Sequence, residues 1–270
     1  MRISIEEIGG RGSRAYEVQE LMATVLARSL RDGEMVGTGA GSALARAACR
    51  LAQLSHAPDL SFVAGGSGAI NPLLEPLTAS SCDYANLDCE AILPLADVIE
   101  MIASGRCDVF CYGGLQVDKF GNVNLSLIGD PDRPQLRGPG SAALPLVANV
   151  GRNLIFMTDH SPRSFVEKVA FVTAPGYLDG GESWRKAKAE GNYRGNGPAL
   201  VVSNLGVFDF EEETKAMRLV SLHPNITLDQ LKAATGFELI IPADIPVTPL
   251  PDKREQRILR ELDSSRLLKG

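Results

Sequence analysis

The stretch "GGLQVDKFGNVNLSLIGDPDRPQLRGPGSAALP", residues 113–145, carries six glycines and four prolines among strand-forming residues. Glycine enters backbone conformations that other residues avoid, and proline removes a backbone donor. Such freedom beside β-propensity predicts short strands joined by loops lying close to something bound. Within it, "GNVNLSLIG" alternates apolar Val123, Leu125 and Leu127 with polar residues, which predicts one half-buried strand. "QVDKFGNVN" predicts a turn around Lys119–Gly121, with Asp118 and Asn124 hydrogen-bonding backbone groups across it and Gln116 helping to fix the loop.

N-terminal to this stretch, strands and helices alternate. Val18, Leu21, Met22, Val25, Leu26 and Leu30 form one helical face, ended by Asp32-Gly33. "EMVGTGAG" reads as a buried strand opening into a glycine turn, with Ser42 capping a helix that runs to about Leu54. "DLSFVAGGSGAINP" repeats strand then turn, at Gly65, Gly66 and Gly68. A third helix is predicted over Pro94–Ser104, stopped by Gly105, and "CDVFCYGG" is another short strand.

The C-terminal half is richer in strands. "NLIFMTD", "KVAFVTAP", "PALVVSNLGVFDF", "MRLVSLHP" and "FELII" all read as strands. Thr227 and Gln230 make a capping box, with Gly236 at the far cap of that helix. Residues 179–198 read as a polar loop, and residues 242–270 as an extended arm with a charged helix. The pattern predicts one α/β domain over residues 1–270. An open sheet carries helices on both faces and antiparallel additions late in the chain.

The 270 residues carry 27 basic and 33 acidic side chains, a net charge of −6. No basic cluster is interleaved with aromatics, so no nucleic-acid partner is expected. No apolar run reaches the roughly 18 residues of a membrane span, and "MRISIEEIGG" lacks a signal peptide's apolar core. A cytoplasmic protein with no membrane partner is therefore expected. Five cysteines without a CxxC signal neither a disulfide framework nor a zinc ribbon, and read as buried free thiols. No histidine spacing supports a metal site.

Glycine turns at Gly37–Gly41, Gly65–Gly68 and Gly113–Gly114 fall at predicted strand ends, where open α/β sheets bind ligands. Their unobstructed N–H groups suit an anion, although none matches a dinucleotide or phosphate-loop fingerprint. Arg137 stands directly before Gly138-Pro139-Gly140-Ser141; its guanidinium suits a carboxylate, and a plain surface arginine is the alternative. Asp159-His160-Ser161 holds the residue types of a triad, but sequence neighbours rarely face one another.

"GGLQVDKFGNVNLSLIGD" followed by "GPGS", with "NLGVFDFE" and "MRLVSLHPNITLDQLKAATGFEL" further on, resembles the β subunit of family I coenzyme A transferases. The similarity spans nearly the whole chain. It implies a three-layer α/β/α open sheet of the NagB/RpiA-like type. It also implies an α-subunit partner, an α2β2 heterotetramer, and a CoA-thioester substrate handled at the subunit interface. No separate cofactor is implied, because CoA is part of the substrate.

The family's chemistry rests on a glutamate that attacks the thioester, carried in a "SENG"-like turn after the second strand. Here that turn is Gly65-Gly66-Ser67-Gly68, with Gly66 at the glutamate's place. The departure implies that no catalytic residue lies in this chain and that the α subunit supplies the glutamate. This resembles the heteromeric hydrolases that open the last steroid ring by a retro-Claisen step. In that reading Gly65, Gly66, Ser67, Gly138, Gly140 and Ser141 bind substrate or oxyanion, and Arg137 pairs a substrate carboxylate. A dicarboxylate CoA-transferase β subunit and a non-catalytic partner subunit are the alternatives.

Overall fold

A computed structural model describes residues 16–269. The N-terminal "MRISIEEIGG" lies outside them. The first elements are α1 (Val18–Arg28), β1 (Met35–Thr38), α2 (Ala43–Ser55) and β2 (Ser61–Ala64). Short strands β3 (Ala69–Ile70) and β4 (Ala91–Ile92) precede α3 (Leu95–Ala103) and β5 (Val109–Gly113). Four short strands follow: β6 (Gln116–Asp118), β7 (Val123–Asn124), β8 (Leu127–Gly129) and β9 (Pro134–Arg137). Beyond them come β10 (Arg152–Met157), β11 (Phe165–Val166), α4 (Gly181–Ala189) and β12 (Pro198–Ser203). The chain closes with β13 (Gly206–Phe210), β14 (Met217–Leu222), α5 (Leu228–Ala234) and α6 (Lys253–Leu262).

Nine strands form the main sheet in the order β14-β13-β12-β10-β5-β1-β2-β3-β4. The five central strands pair in parallel, and both flanks are antiparallel. The central strands are apolar runs because helices cover both faces. β5 shows the division. Val109 and Cys111 join the core under α1, α2 and α6, whereas Phe110 and Tyr112 join the core under α3. This is the expected three-layer α/β/α sheet. Among the described residues no helix is long and apolar enough to cross a membrane.

From β1 the chain moves to β2 on one side and later to β5 on the other. The direction of winding therefore reverses at β1, and in open α/β sheets ligands gather at the strand ends flanking such a point. The Gly39–Ser42 loop and the Gly65–Gly68 turn both leave that edge.

Several predicted elements differ. "GNVNLSLIG" is not one strand. β7 joins the small sheet β11-β6-β7, and β8 pairs only with β9. Buried Asn124 breaks the run, its carbonyl oxygen accepting from the N–H groups of Ser126 (3.0 Å) and Leu127 (3.3 Å). "KVAFVTAP" is irregular apart from a single bridge between Ala174 and Val123, and "FELII" gives only a bridge from Ile240 to Arg218. "PALVVSNLGVFDF" is a hairpin of two strands. Residues 179–198 contain α4. Ser42 sits at the N-cap of α2 but its hydroxyl makes no capping bond, and α5 is closed by Thr235, with Gly236 beyond it. The Thr227–Gln230 capping box is present.

Candidate active site

The Gly65–Gly68 turn is drawn tightly onto the end of β1. Gly65 N–H donates to the Thr38 carbonyl at 3.0 Å, and any Cβ at Gly65 would collide with that same oxygen. Gly66 and Gly68 N–H both donate to the Ala64 carbonyl, at 2.9 and 3.0 Å. Ser67 holds the turn through its hydroxyl, which donates to the Ala64 carbonyl at 3.3 Å. The Ser67 N–H has no partner among the described residues.

Gly66 faces an occupied space. A Cβ there would lie 2.6 Å from Cys82 Sγ, 2.6 Å from Ser81 Oγ and 3.0 Å from the Ala40 methyl. Gly66 is thus required for its missing side chain. Ser81 and Cys82 belong to residues 78–86, a loop that reaches back across the β1 and β2 ends. Ser81 N–H donates to the Ala40 carbonyl at 2.8 Å, which ties this loop to the turn after β1.

The loop is held from beneath by Arg46 on α2, which is fully buried. Its guanidinium donates to the Thr78 carbonyl (2.6 Å), the Thr78 hydroxyl (3.1 Å) and Asn86 Oδ1 (3.2 Å). Asn86 Nδ2 in turn lies 3.0–3.1 Å from the carbonyls of Ser80, Ser81 and Asp83. Among the described residues no carboxylate forms an ion pair with Arg46. Burial pulls its pKa down to about 10, opposed by the charges of Cys82 and then Asp83. A buried cation without a paired anion is costly, so its placement under this loop is informative.

The second group of predicted residues lies elsewhere on the surface. Arg137 ends β9 and is exposed; its guanidinium makes only a long contact of 3.5 Å with the Pro131 carbonyl. Gly138 N–H donates to the Ser126 carbonyl (2.8 Å) and Gly140 N–H to the Leu125 carbonyl (3.3 Å), so neither is free for a bound oxyanion. The Ser141 N–H has no partner among the described residues. No hydrogen bond, ion pair or ring contact among the described residues joins this loop to the Gly65–Gly68 turn.

Gln116, Asp118 and Asn124 are buried. Asp118 Oδ1 accepts from the N–H groups of Phe120 and Asn122, both at 3.0 Å. Asn124 Nδ2 donates to Gln116 Oε1 (2.9 Å) and to the Leu127 carbonyl (2.7 Å). These three side chains replace missing backbone partners in the glycine-rich loop. Burial pushes the Asp118 pKa up to about 6, against the hydrogen bonds it accepts from Asn122 and Phe120.

Two readings of the sequence fail here. Asp159, His160 and Ser161 make no triad. The His160 ring turns inward to Ser203 Oγ (2.8 Å) and Thr235 Oγ1 (3.0 Å), while Ser161 donates to Asp159 directly. The cysteines are not all buried, because Cys82 is exposed and Cys89 half-buried. The Ser81–Cys82 pair had no signal in sequence spacing: it meets Gly66 only through the folded path of the loop. Among the described residues no cluster of His, Cys, Asp or Glu is placed to hold a metal ion.

The family model described as coenzyme A transferase matches residues 19–234. The β-type subunit of a 3-oxoadipate CoA-transferase from Pseudomonas knackmussii is 30% identical over 253 residues, covering 93% of this chain and 94% of the relative. A cholesterol ring-cleaving hydrolase IpdB subunit from Rhodococcus jostii is 33% identical over 220 residues, 82% of this chain and 81% of the relative. The crystal structure of glutaconate coenzyme A-transferase from Acidaminococcus fermentans superimposes with a TM-score of 0.83 at 27% identity, covering 95% of this chain and 98% of that one.

Proposed function

This chain belongs to the coenzyme A transferase family, and on that premise we propose that it is the β subunit of a heteromeric enzyme acting on CoA thioesters. The observation that carries the reading is the Gly66 notch. The turn that would hold the family's glutamate has no carboxylate, and neighbouring side chains fill the space one would occupy. The catalytic carboxylate is therefore supplied by an α-type partner, in an α2β2 assembly.

An exposed apolar strip supports a partner at this edge. Tyr84 is 87% exposed, and Leu87, Ile92, Leu95 and Ile99 are also exposed. The strip adjoins the site, since Leu93 N–H donates to the Gly68 carbonyl at 2.9 Å and Tyr84 is two residues from Cys82. Large exposed apolar groups on one segment mark contact surfaces.

The reaction proposed is hydrolysis of a carbon–carbon bond in a steroid-derived ring bound as a CoA thioester. A β-keto arrangement makes that bond breakable by a retro-Claisen step. The partner's carboxylate activates water, and backbone donors hold the oxyanion that develops; one such donor is worth about 2.7–4 kcal/mol. With Gly138 and Gly140 N–H already engaged, this role falls to the N–H groups of Ser67 and Ser141. Arg137 pairs a free substrate carboxylate through two hydrogen bonds. The similarity to the 3-oxoadipate transferase subunit over nearly the whole chain favours a second reading, a dicarboxylate CoA-transferase.

The purified two-chain complex, incubated with a cyclic β-keto CoA thioester bearing a free carboxylate, tests the proposal by mass spectrometry. A product one water heavier, its thioester intact, supports hydrolysis. CoA moved to added glutaconate or acetate without hydrolysis contradicts it and supports the second reading.

A further inference from the structure

We propose that Cys82 is an acyl-accepting nucleophile, seated in the side-chain space that Gly66 leaves open and served there by Ser81 and Arg46. The inference rests on the proposed function only for the arrival of a β-keto CoA thioester at this turn.

Three independent observations converge on the thiol. Cys82 Sγ lies 2.6 Å from the position of a Gly66 Cβ, so sulfur occupies the start of the path that a reactive side chain at 66 would follow. Ser81 Oγ lies the same distance from that point, is fully buried and has no hydrogen-bond partner. A buried hydroxyl without a partner is rare and costly, and it points to a group that arrives with the substrate. The third is Arg46, fully buried and with its Nε also unpartnered. It is a fixed positive charge near Cys82 with no neutralising carboxylate among the described residues. Cationic neighbours favour the thiolate, the form that attacks.

Cys89 serves as the contrast within the same segment. It is half-buried, and its thiol is already engaged with the carbonyls of Leu87 (3.4 Å) and Ala91 (3.3 Å). Cys82 is exposed, and its sulfur makes no hydrogen bond among the described residues. Its loop is nonetheless fixed by Arg46, Thr78 and Asn86, so the exposed thiol is held in place.

In the first step the Cys82 thiolate adds to the keto carbonyl carbon, and the bond from that carbon to the α-carbon of the CoA thioester breaks. The electron pair passes to the α-carbon, which takes up the proton that Cys82 lost. The acyl group stays on Sγ as a thioester. Water, activated by the partner's carboxylate, then cleaves that S–C bond, returning the thiol and leaving a carboxylic acid.

The test uses the two-chain complex, limiting iodoacetamide and acetoacetyl-CoA as the probe substrate. Cys82 is expected to be alkylated at least tenfold faster than Cys89, with turnover lost in proportion. Rapid quench is expected to show an acetyl group on the Cys82 peptide, removed by neutral hydroxylamine, with acetyl-CoA released. Ser81→Ala, at unchanged melting temperature, is expected to slow alkylation several-fold. Equal alkylation rates of Cys82 and Cys89, or turnover that survives complete alkylation of Cys82, overturns the proposal. If the complex does not turn over acetoacetyl-CoA, the proposed function falls, and the alkylation contrast with the Ser81→Ala effect decides the inference alone.

Discussion

Gly66→Glu would place the family's carboxylate back in its turn, yet the notch predicts that activity does not follow. Cys82 Sγ and Ser81 Oγ would each have to move from 2.6 Å. Overpacking of this kind costs on the order of 1–3 kcal/mol. Gly66→Glu is therefore expected to lower the melting temperature with no gain in turnover, measured on the complex by thermal melting and rate assay. Arg46→Ala is the more severe change. It removes three hydrogen bonds to Thr78 and Asn86 and leaves a cavity under the loop. A loss of about 3 kcal/mol or more is expected in urea unfolding. On the far loop, Arg137→Ala is expected to lower kcat/KM about 10- to 100-fold, as a charge-assisted hydrogen bond of about 1.5–3 kcal/mol implies. Arg137→Lys keeps the charge, loses the fork and recovers only part of this. Unchanged kcat/KM in Arg137→Ala would remove its assigned role. Position 66 was legible in the sequence because its turn follows a strand at a recognisable place. Ser81 and Cys82 were not, since their approach depends on a loop returning across the sheet edge.

At the scale of elements, helices and parallel strands were readable from apolar periodicity, and every central strand lies where an apolar run predicted it. The failures cluster where polar side chains replace the ladder. Asn122 and Asn124 are buried, so the alternation in "GNVNLSLIG" did not mark a solvent face. The same substitution of side chain for backbone gives the small strands a pH dependence. Burial pushes His160 down to about 3 and His223 to about 4, from an ordinary value near 6.5. Both are neutral in the folded state, so the stability they contribute is present above about pH 6.5 and is lost as pH falls toward 4. Asp118, raised to about 6, acts in the opposite sense: its contribution is present below about pH 4 and is lost as pH rises through 6. Each group changes stability by on the order of 1 kcal/mol per pH unit within its window. Urea midpoints between pH 4 and 7 are expected to fall toward acid. The fall should be steeper in Asp118→Asn and shallower in His160→Gln; the reverse order would contradict the assignment.

For the molecule as a whole, the sheet, its two helical layers and the relation to CoA transferases were legible, because each follows from patterns that run along the chain. The use of the Gly66 edge as a contact surface was not, since the exposed strip from Tyr84 to Ile99 is defined by what fails to cover it. Tyr84→Asp with Leu87→Asp is expected to abolish assembly with the partner in sedimentation while leaving the chain's own melting temperature within a few degrees. The most direct measurement compares CoA-thioester turnover by this chain alone, by its partner alone and by the two mixed. No turnover is expected from this chain alone and full turnover on mixing, lost again when the partner's catalytic carboxylate is replaced by an amide. Full-rate turnover by this chain in the absence of any partner would contradict the assignment of the reactive carboxylate to a second polypeptide.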